Sequence, residues 1–420
     1  MRRTAIGRTV RRGSVLGLVV IMIVIFFMIG TAILTLGFNS RIFAIRTEAD
    51  IAAHCAADAG LTKALREMNH QLTITPFSLP PPEKDVPMPN CDAFYSYTIT
   101  KSGSYYYAVD SNGTCGEAVR KVHAILELRG VGDTCMLVRK DMTLYNNVYV
   151  DSRDSRDPTI ELTGEAQIRT ASAAEDSMTL YNGVVVDGDV LVGFGCIDVN
   201  DAVKDQGATD PYGNPLHYAT LDEDPYFPPV TPPGLPVMGK IAINPNDEIR
   251  TIQIGPSGSG EYSSIILKNA TEPAILEIVG GHVILYITGD IWLGQECEIR
   301  IAKDASLDLY VSGNIKSDEG SGFNNLGLPS DLKLWGLAHD PLSETPLQEW
   351  DIKAKSAYFG QVYAPEATIQ VNAKGELWGA FTAYSLTMNN AGNLYYDVAL
   401  RAVEPDDPGV RFGLKRWRED

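Results

Sequence analysis

Residues 15–38 (VLGLVVIMIVIFFMIGTAILTLGF) form a run of 24 positions without a single charge. At about 1.5 Å per helical residue the run reaches roughly 36 Å, enough to cross a hydrocarbon core of about 30 Å. Arg2, Arg3, Arg8, Arg11 and Arg12 precede it, and no acid does. The positive-inside rule therefore places the N-terminus in the cytoplasm and the C-terminal bulk outside, in the periplasm or at the cell surface. A cleaved secretory signal is the rival reading. Its apolar part is usually about 7–15 residues, and Gly37-Phe38-Asn39-Ser40-Arg41 offers no small-x-small cleavage site. The expectation is a single-pass protein of the cytoplasmic membrane.

The pattern beyond the run stays helical. Residues 39–68 contain no proline and a single glycine, Gly60. Ile42, Ile45, Ala49, Ala52, Ala53, Ala56, Ala57, Leu61, Ala64, Leu65 and Met68 recur at helical spacing, with Arg46, Glu48, Asp50, Asp58, Lys63, Arg66 and Glu67 between them. One helix over 14–68 would be about 80 Å long, apolar all round in its first half and one-sided in its second. The one-sided half suits packing against a globular head. Ala52, Ala53, Ala56, Ala57 and Gly60 would let another backbone approach closely.

Arg12-Gly13-Ser14-Val15-Leu16 entering the apolar run, and AAHCAADAGL over 52–61, resemble the type IV pilins, most closely the PilX-type minor pilins. The resemblance implies cleavage between Gly13 and Ser14, with 1–13 as a basic cytoplasmic leader. It also implies assembly with other pilin-like subunits and the pilus machinery, with Leu18, Ala52, Ala53, Ala56 and Gly60 in helix packing. Leu18 stands at the fifth mature position, where major pilins carry glutamate; this departure favours a minor, tip or priming role. Loss of the leader's five arginines would make the chain more acidic than its net charge of −18, which argues against a nucleic-acid partner.

Residues 69–90 read as a linker, since Pro76, Pro80, Pro81, Pro82, Pro87 and Pro89 favour extended chain. A small β head over 91–136 follows. Residues 94–100 and 105–109 alternate as paired strands, Ser111-Asn112-Gly113-Thr114 is a turn signal, and 118–128 place Val122, Ala124, Leu126 and Leu128 on one face. The phrase DSNGTCGEAVRKVHAILEL resembles the strand pair that follows the long helix in PilX-type proteins.

Over 137–400 the chain becomes strand-rich and repetitive. MTLYNNVYVD at 142–151 returns as MTLYNGVVVD at 178–187, and LYITGDI at 285–291 returns as LYVSGNI at 309–315. FGQVYA at 359–364 returns as WGAFTA at 378–383, which aligns Ile369 with Met388. Such periods predict a right-handed parallel β-helix, in which no coil buries its apolar row alone. The proline-rich segment 200–239 reads as an excursion from one face, and 401–420 as a solvated tail. The fold class expected is mainly β: a long N-terminal transmembrane and amphipathic helix, a small β-sheet head, then the solenoid. The C-terminal segment also resembles a β-helical domain attached to PilX-type proteins, which implies a structural or adhesive role and brings no catalytic residues.

An enzyme needs carboxylates converging on one face. The seeds are Asp187 with Asp189, Asp151 with Asp154 and Asp157, and Asp222 with Glu223 and Asp224; Asp187 and Asp189 are also the calcium candidates. Loop acids on an acidic exported chain are more simply solvated. The six histidines show no metal-ligand spacing, and GxSxG, phosphate-loop and dinucleotide motifs are absent. The six cysteines include no CxxC. Cys91 and Cys115 flank the first two head strands and Cys135 follows the third, so a bridge among these is the candidate, Cys91 with Cys115 foremost. Tyr286, Tyr310, Phe359, Tyr363, Trp378 and Tyr384 recur at coil spacing and read as core or stacking residues.

The function expected is non-enzymatic, with no cofactor and no catalytic residue: a pilin-like anchor displaying a β-helix for assembly, adhesion or surface contact. Its partners would be pilin-like subunits, membrane lipid and a surface glycan or protein. The alternatives are an anchored β-helical surface protein without a pilus, a type II secretion tip pseudopilin, and a tethered polysaccharide-processing enzyme.

Overall fold

One unbroken helix, α1 (Val15–Gln71), opens a chain that is otherwise mainly β. The computed structural model describes residues 15–157, 162–340, 342–354, 358–373, 376–389 and 392–419. The proposed processing pair, Gly13 and Ser14, lies outside these. The chain divides into two units, one of residues 1–71, 78–127 and 414–420, the other of 72–77 and 128–413.

In the first unit the apolar half of α1 is exposed along its whole length, while Ala53, Ala56, Ala57, Ala64 and Met68 are fully buried. Those burials follow the helical repeat, so one stripe is covered. The cover is an antiparallel sheet of β1 (Glu83–Pro87), β2 (Ala93–Lys101), β3 (Tyr106–Cys115) and β4 (Ala118–Arg129), with the strand Arg411–Glu419 beside β4. Three expectations are corrected here. The segment 111–114 is no turn: β3 runs straight through it, and the chain reverses at Gly116, whose φ is +59°. Gly113 has another purpose, because a Cβ there would sit 1.9 Å from the Ala53 carbonyl oxygen. The linker over 69–90 contributes β1, an edge strand that ends at Pro87, where proline removes no inner ladder bond. The tail is not simply solvated, since Lys415 Nζ bonds the Glu127 carboxylate and the Tyr106 hydroxyl, each at 2.8 Å.

The second unit is a stack of parallel rungs. Leu285, Leu309, Leu334, Val362, Phe381, Met136, Ile168 and Val190 stand side by side on successive rungs, all buried. Each such apolar side chain removed from water contributes roughly 1.5–3 kcal/mol. The sequence repeats fall on neighbouring rungs: Met142 beside Met178, Leu285 beside Leu309, Phe359 beside Trp378. Ile369 pairs with Leu386, however, and Val371 with Met388, because the register shifts between Ala364 and Thr368.

Rung order departs from chain order. An outward row runs Val237, Glu261, Tyr286, Tyr310, Trp335, Tyr363, Thr382, then Leu137, Arg169, Leu191 and Ala219. The chain thus enters mid-stack at 137, builds outward to 219, and restarts at the opposite end at 237. From there it returns rung by rung until its last rungs close on its first, with Leu386 beside Met142 and Leu394 beside Val150. The proline-rich segment expected as an excursion from one face therefore joins the two ends of the stack. It also holds regular structure, with a short helix at Val199–Ala202 and strands at Val203–Asp205 and Tyr218–Thr220.

Candidate functional site

The small face of α1, expected to receive neighbouring helices, is filled by the chain's own sheet. Ser111 Oγ donates a 2.6 Å hydrogen bond to the Ala57 carbonyl, and a Cβ at Gly60 would stand 2.3 Å from Ser111 Oγ. Ala53, Ala56 and Gly60 are buried there, Ala52 is half-buried, and Leu18 is exposed. Asp50 closes the upper end, accepting Arg120 Nε at 2.8 Å and Nη2 at 2.7 Å. The Arg120 hydrogen bonds hold the Asp50 carboxyl below its ordinary range. Residues 16–38 carry the long exposed apolar surface, and α1 is long and apolar enough to cross a membrane.

Asp187 and Asp189 do not form the expected pair. Asp187 Oδ1 accepts from the Gly164 amide at 3.1 Å and Asp189 Oδ2 from Gln167 Nε2 at 3.2 Å, so each carboxylate engages a partner of its own. Asp187 instead lies beside Asp151, one rung away, where its amide donates to the Val150 carbonyl at 2.8 Å. Burial pushes the Asp151 carboxyl up and the neighbouring Asp187 adds to this, against Arg153 at 3.0 Å and the Ser152 amide at 2.7 Å. The sequence carried the signal: both aspartates end the repeated decapeptide, and equivalent positions of the two parallel-paired copies lie side by side. Asp154 is engaged by Arg156, which lowers its carboxyl, and Asp222, Glu223 and Asp224 are exposed.

Among the described residues no group of three His, Cys, Asp or Glu side chains could hold a metal ion. All six cysteines are free. Cys91 and Cys115 are not bonded to each other in the structure, where Cys115 stands opposite Ala93, two positions beyond Cys91. Burial pushes the Cys135 thiol well up, which makes it an inert core residue.

The aromatic residues separate into two outward rows. Tyr310, Trp335 and Tyr363 are buried beneath Val131, Val230 and Leu337. Phe359 stacks on Trp378 at 5.9 Å, Tyr395 meets Trp378 at 5.0 Å with its ring tilted by 47°, and all three stay half-buried, with the Arg153 guanidinium 5.4 Å from the Tyr395 ring. Outside both rows, Trp292 lines an open groove of about 620 Å³ with Asn314, Lys316, Glu349, Asp351 and Gln370. Sequence reasoning missed this groove, which joins side chains from rungs up to 80 positions apart, Asp290 to Gln370.

A family model described as a domain of unknown function (DUF7305) matches residues 257–403, and its description names no activity. No curated protein matches the chain. Among solved structures, the crystal structure of the competence-associated pilin ComZ from Thermus thermophilus is 13% identical, covering 89% of this chain and 97% of that one, with a TM-score of 0.22.

Proposed function

We propose that this chain is a non-enzymatic, membrane-anchored, pilin-like protein of the PilX type, displaying a right-handed parallel β-helix outside the membrane for assembly, adhesion or surface contact. One observation carries the reading. A single helix is apolar and uncovered over its first half, then passes without a break into a half whose small-residue stripe is covered by its own sheet. The first half suits lipid or a bundle of like helices; the second fixes the head to the anchor. The β-helical part of the reading rests on the parallel rungs, and the right hand is the one that crossovers between parallel strands adopt in about 98% of cases. In this reading pilin-like subunits and the pilus assembly machinery are the partners, with the N-terminus cytoplasmic. No catalytic role is proposed for Asp151 and Asp187, because Arg153 and the Ser152 amide already engage Asp151 and the Gly164 amide engages Asp187.

Mass spectrometry of the N-terminal peptide from protein purified out of its own membranes tests this. A chain starting at Ser14 supports a processed subunit. A chain retaining Met1 or Arg2 leaves an anchored β-helical surface protein, and the pilus reading falls.

A further inference from the structure

We propose that the groove beside Trp292 binds a linear, uncharged polysaccharide. Its floor is built by strand alternation: Ile291, Leu293, Ile315, Trp350, Ile369 and Val371 turn inward and are buried. Trp292, Lys316, Asp351 and Gln370 consequently project outward on four successive rungs, Trp292 beside Lys316 and Asp351 beside Gln370. Rungs are about 4.8 Å apart, so the backbone fixes the spacing of these groups before any ligand arrives. Trp292 keeps 37% of its surface exposed, with Lys268 Nζ 5.2 Å from the ring centroid. A flat, partly wet indole with a polar fringe is a platform for the apolar face of a sugar ring.

The polar groups define the class further. Among the described residues, the Lys316, Glu349 and Gln370 side chains make no hydrogen bond or ion pair within the chain, leaving donors and acceptors for hydroxyl groups. Charge is balanced locally. The lining carries Lys316 with Asp290, Glu349 and Asp351, while Lys268 stands over the Trp292 ring and Lys353 pairs with Asp351 at 2.7 Å, so three lysines in and beside the groove offset its three carboxylates, in a chain whose net charge is −18. That balance favours neither a polyanion nor a polycation. The volume falls within the range of ligand clefts, about 300–1,000 Å³. The outward row also runs on past the groove, Gln370 to Thr387, Thr143 and Thr179, a continuous polar track suited to a polymer.

The inference supplies a ligand class for the surface contact proposed above, but its test is independent of N-terminal processing. The full chain, in a detergent without sugar head groups, is titrated calorimetrically with hexasaccharides of β-glucan, β-mannan, β-xylan and chitin, and with hexagalacturonate. At least one uncharged hexasaccharide should bind saturably, and hexagalacturonate at least about tenfold more weakly. Trp292→Ala should weaken binding at least about tenfold, Trp292→Phe less, and Trp417→Ala, at an exposed site in the other unit, by less than about twofold. Far-UV circular dichroism checks that each variant is folded. Failure of every uncharged hexasaccharide, tighter binding of hexagalacturonate, or unchanged binding by Trp292→Ala overturns the proposal.

Discussion

Tyr363 donates a 2.7 Å hydrogen bond to the Pro228 carbonyl, although the two residues lie 135 positions apart. The contact pins the proline-rich segment 221–236 across the outward aromatic row. Beneath it Val230 packs on Tyr310, Trp335 and Tyr363, whose rings lie 6.1 Å and 6.0 Å apart along the row. Burial pushes the Tyr363 hydroxyl well above its ordinary range, so it stays protonated and keeps its donor. The segment acts as a strap over an apolar surface that would otherwise face water.

Tyr363→Phe keeps the ring and removes that single bond. The expected loss is about 1 kcal/mol, read as a melting temperature about 2 °C lower. Limited proteolysis should cut faster within 221–236, with the rungs still resistant. Unchanged cutting there would mean that packing by Val230 alone holds the strap.

Gly113 governs the seat of α1. An added Cβ would meet the Ala53 carbonyl oxygen at 1.9 Å and the Ala57 nitrogen at 2.4 Å, both backbone atoms that a rotamer change cannot move. Gly113→Ala should destabilise the helix–sheet unit by about 2–3 kcal/mol in chemical denaturation. Gly60→Ala should cost less, since its nearest obstacle is the Ser111 hydroxyl, which can rotate at the loss of its bond to Ala57. Equal losses for the two variants would contradict this account.

Asp151 makes a pH-dependent contribution of definite sign. Burial, with Asp187 alongside, raises its carboxyl above the ordinary 3.8, so the native chain holds the proton more tightly than the unfolded chain does. This group's stabilisation is therefore complete below that value and is lost as the pH rises through the raised native value. Asp151→Asn should remove that decline from a plot of melting temperature between about pH 3 and pH 7. The slope is the readout, because Arg153 loses its 3.0 Å partner in the variant and the absolute level shifts as well. Parallel profiles for the two proteins would place the titration elsewhere.

Local features were legible in the sequence wherever one segment's pattern decides its environment. The uncharged run 15–38, the stripe through Ala53, Ala56 and Gly60, and the buried face of Val122, Ala124, Leu126 and Leu128 are matters of spacing along a single element. Neighbouring parallel strands that repeat each other, such as those of Met142 and Met178, were equally readable. What escaped was pairing between segments that share no repeat. Nothing in either segment marks Leu386 as the neighbour of Met142, and the edge strand ending at Glu419 reads as a basic tail because Trp417, Arg416 and Arg418 are all exposed. Gly113 misled for a physical reason: the absence of a side chain serves a turn and a close backbone approach equally well. The groove at Trp292 lay beyond reach because its residues converge only once rung order is known.

The length of the strap follows from that rung order and can be tested directly. Ala219 and Val237 occupy opposite ends of one outward row, ten rung steps apart. At about 4.8 Å per step the span is roughly 48 Å. The chain between them has 18 steps, and at about 3.1 Å per residue in proline-rich conformation it reaches roughly 56 Å, long enough with little slack. Deleting 229–234 leaves twelve steps, about 42 Å even when fully extended, so the terminal rungs can no longer both dock. Hydrogen exchange in that variant should show lost protection at Val237–Ile243 or Tyr218–Thr220, while the central rungs around Leu309 stay protected. Inserting six Gly/Ser residues after Gly234 lengthens the connection without strain and should cost well under about 1 kcal/mol. A deletion variant with native exchange at both end strands would show that the strap does not bridge the stack as the rung order requires.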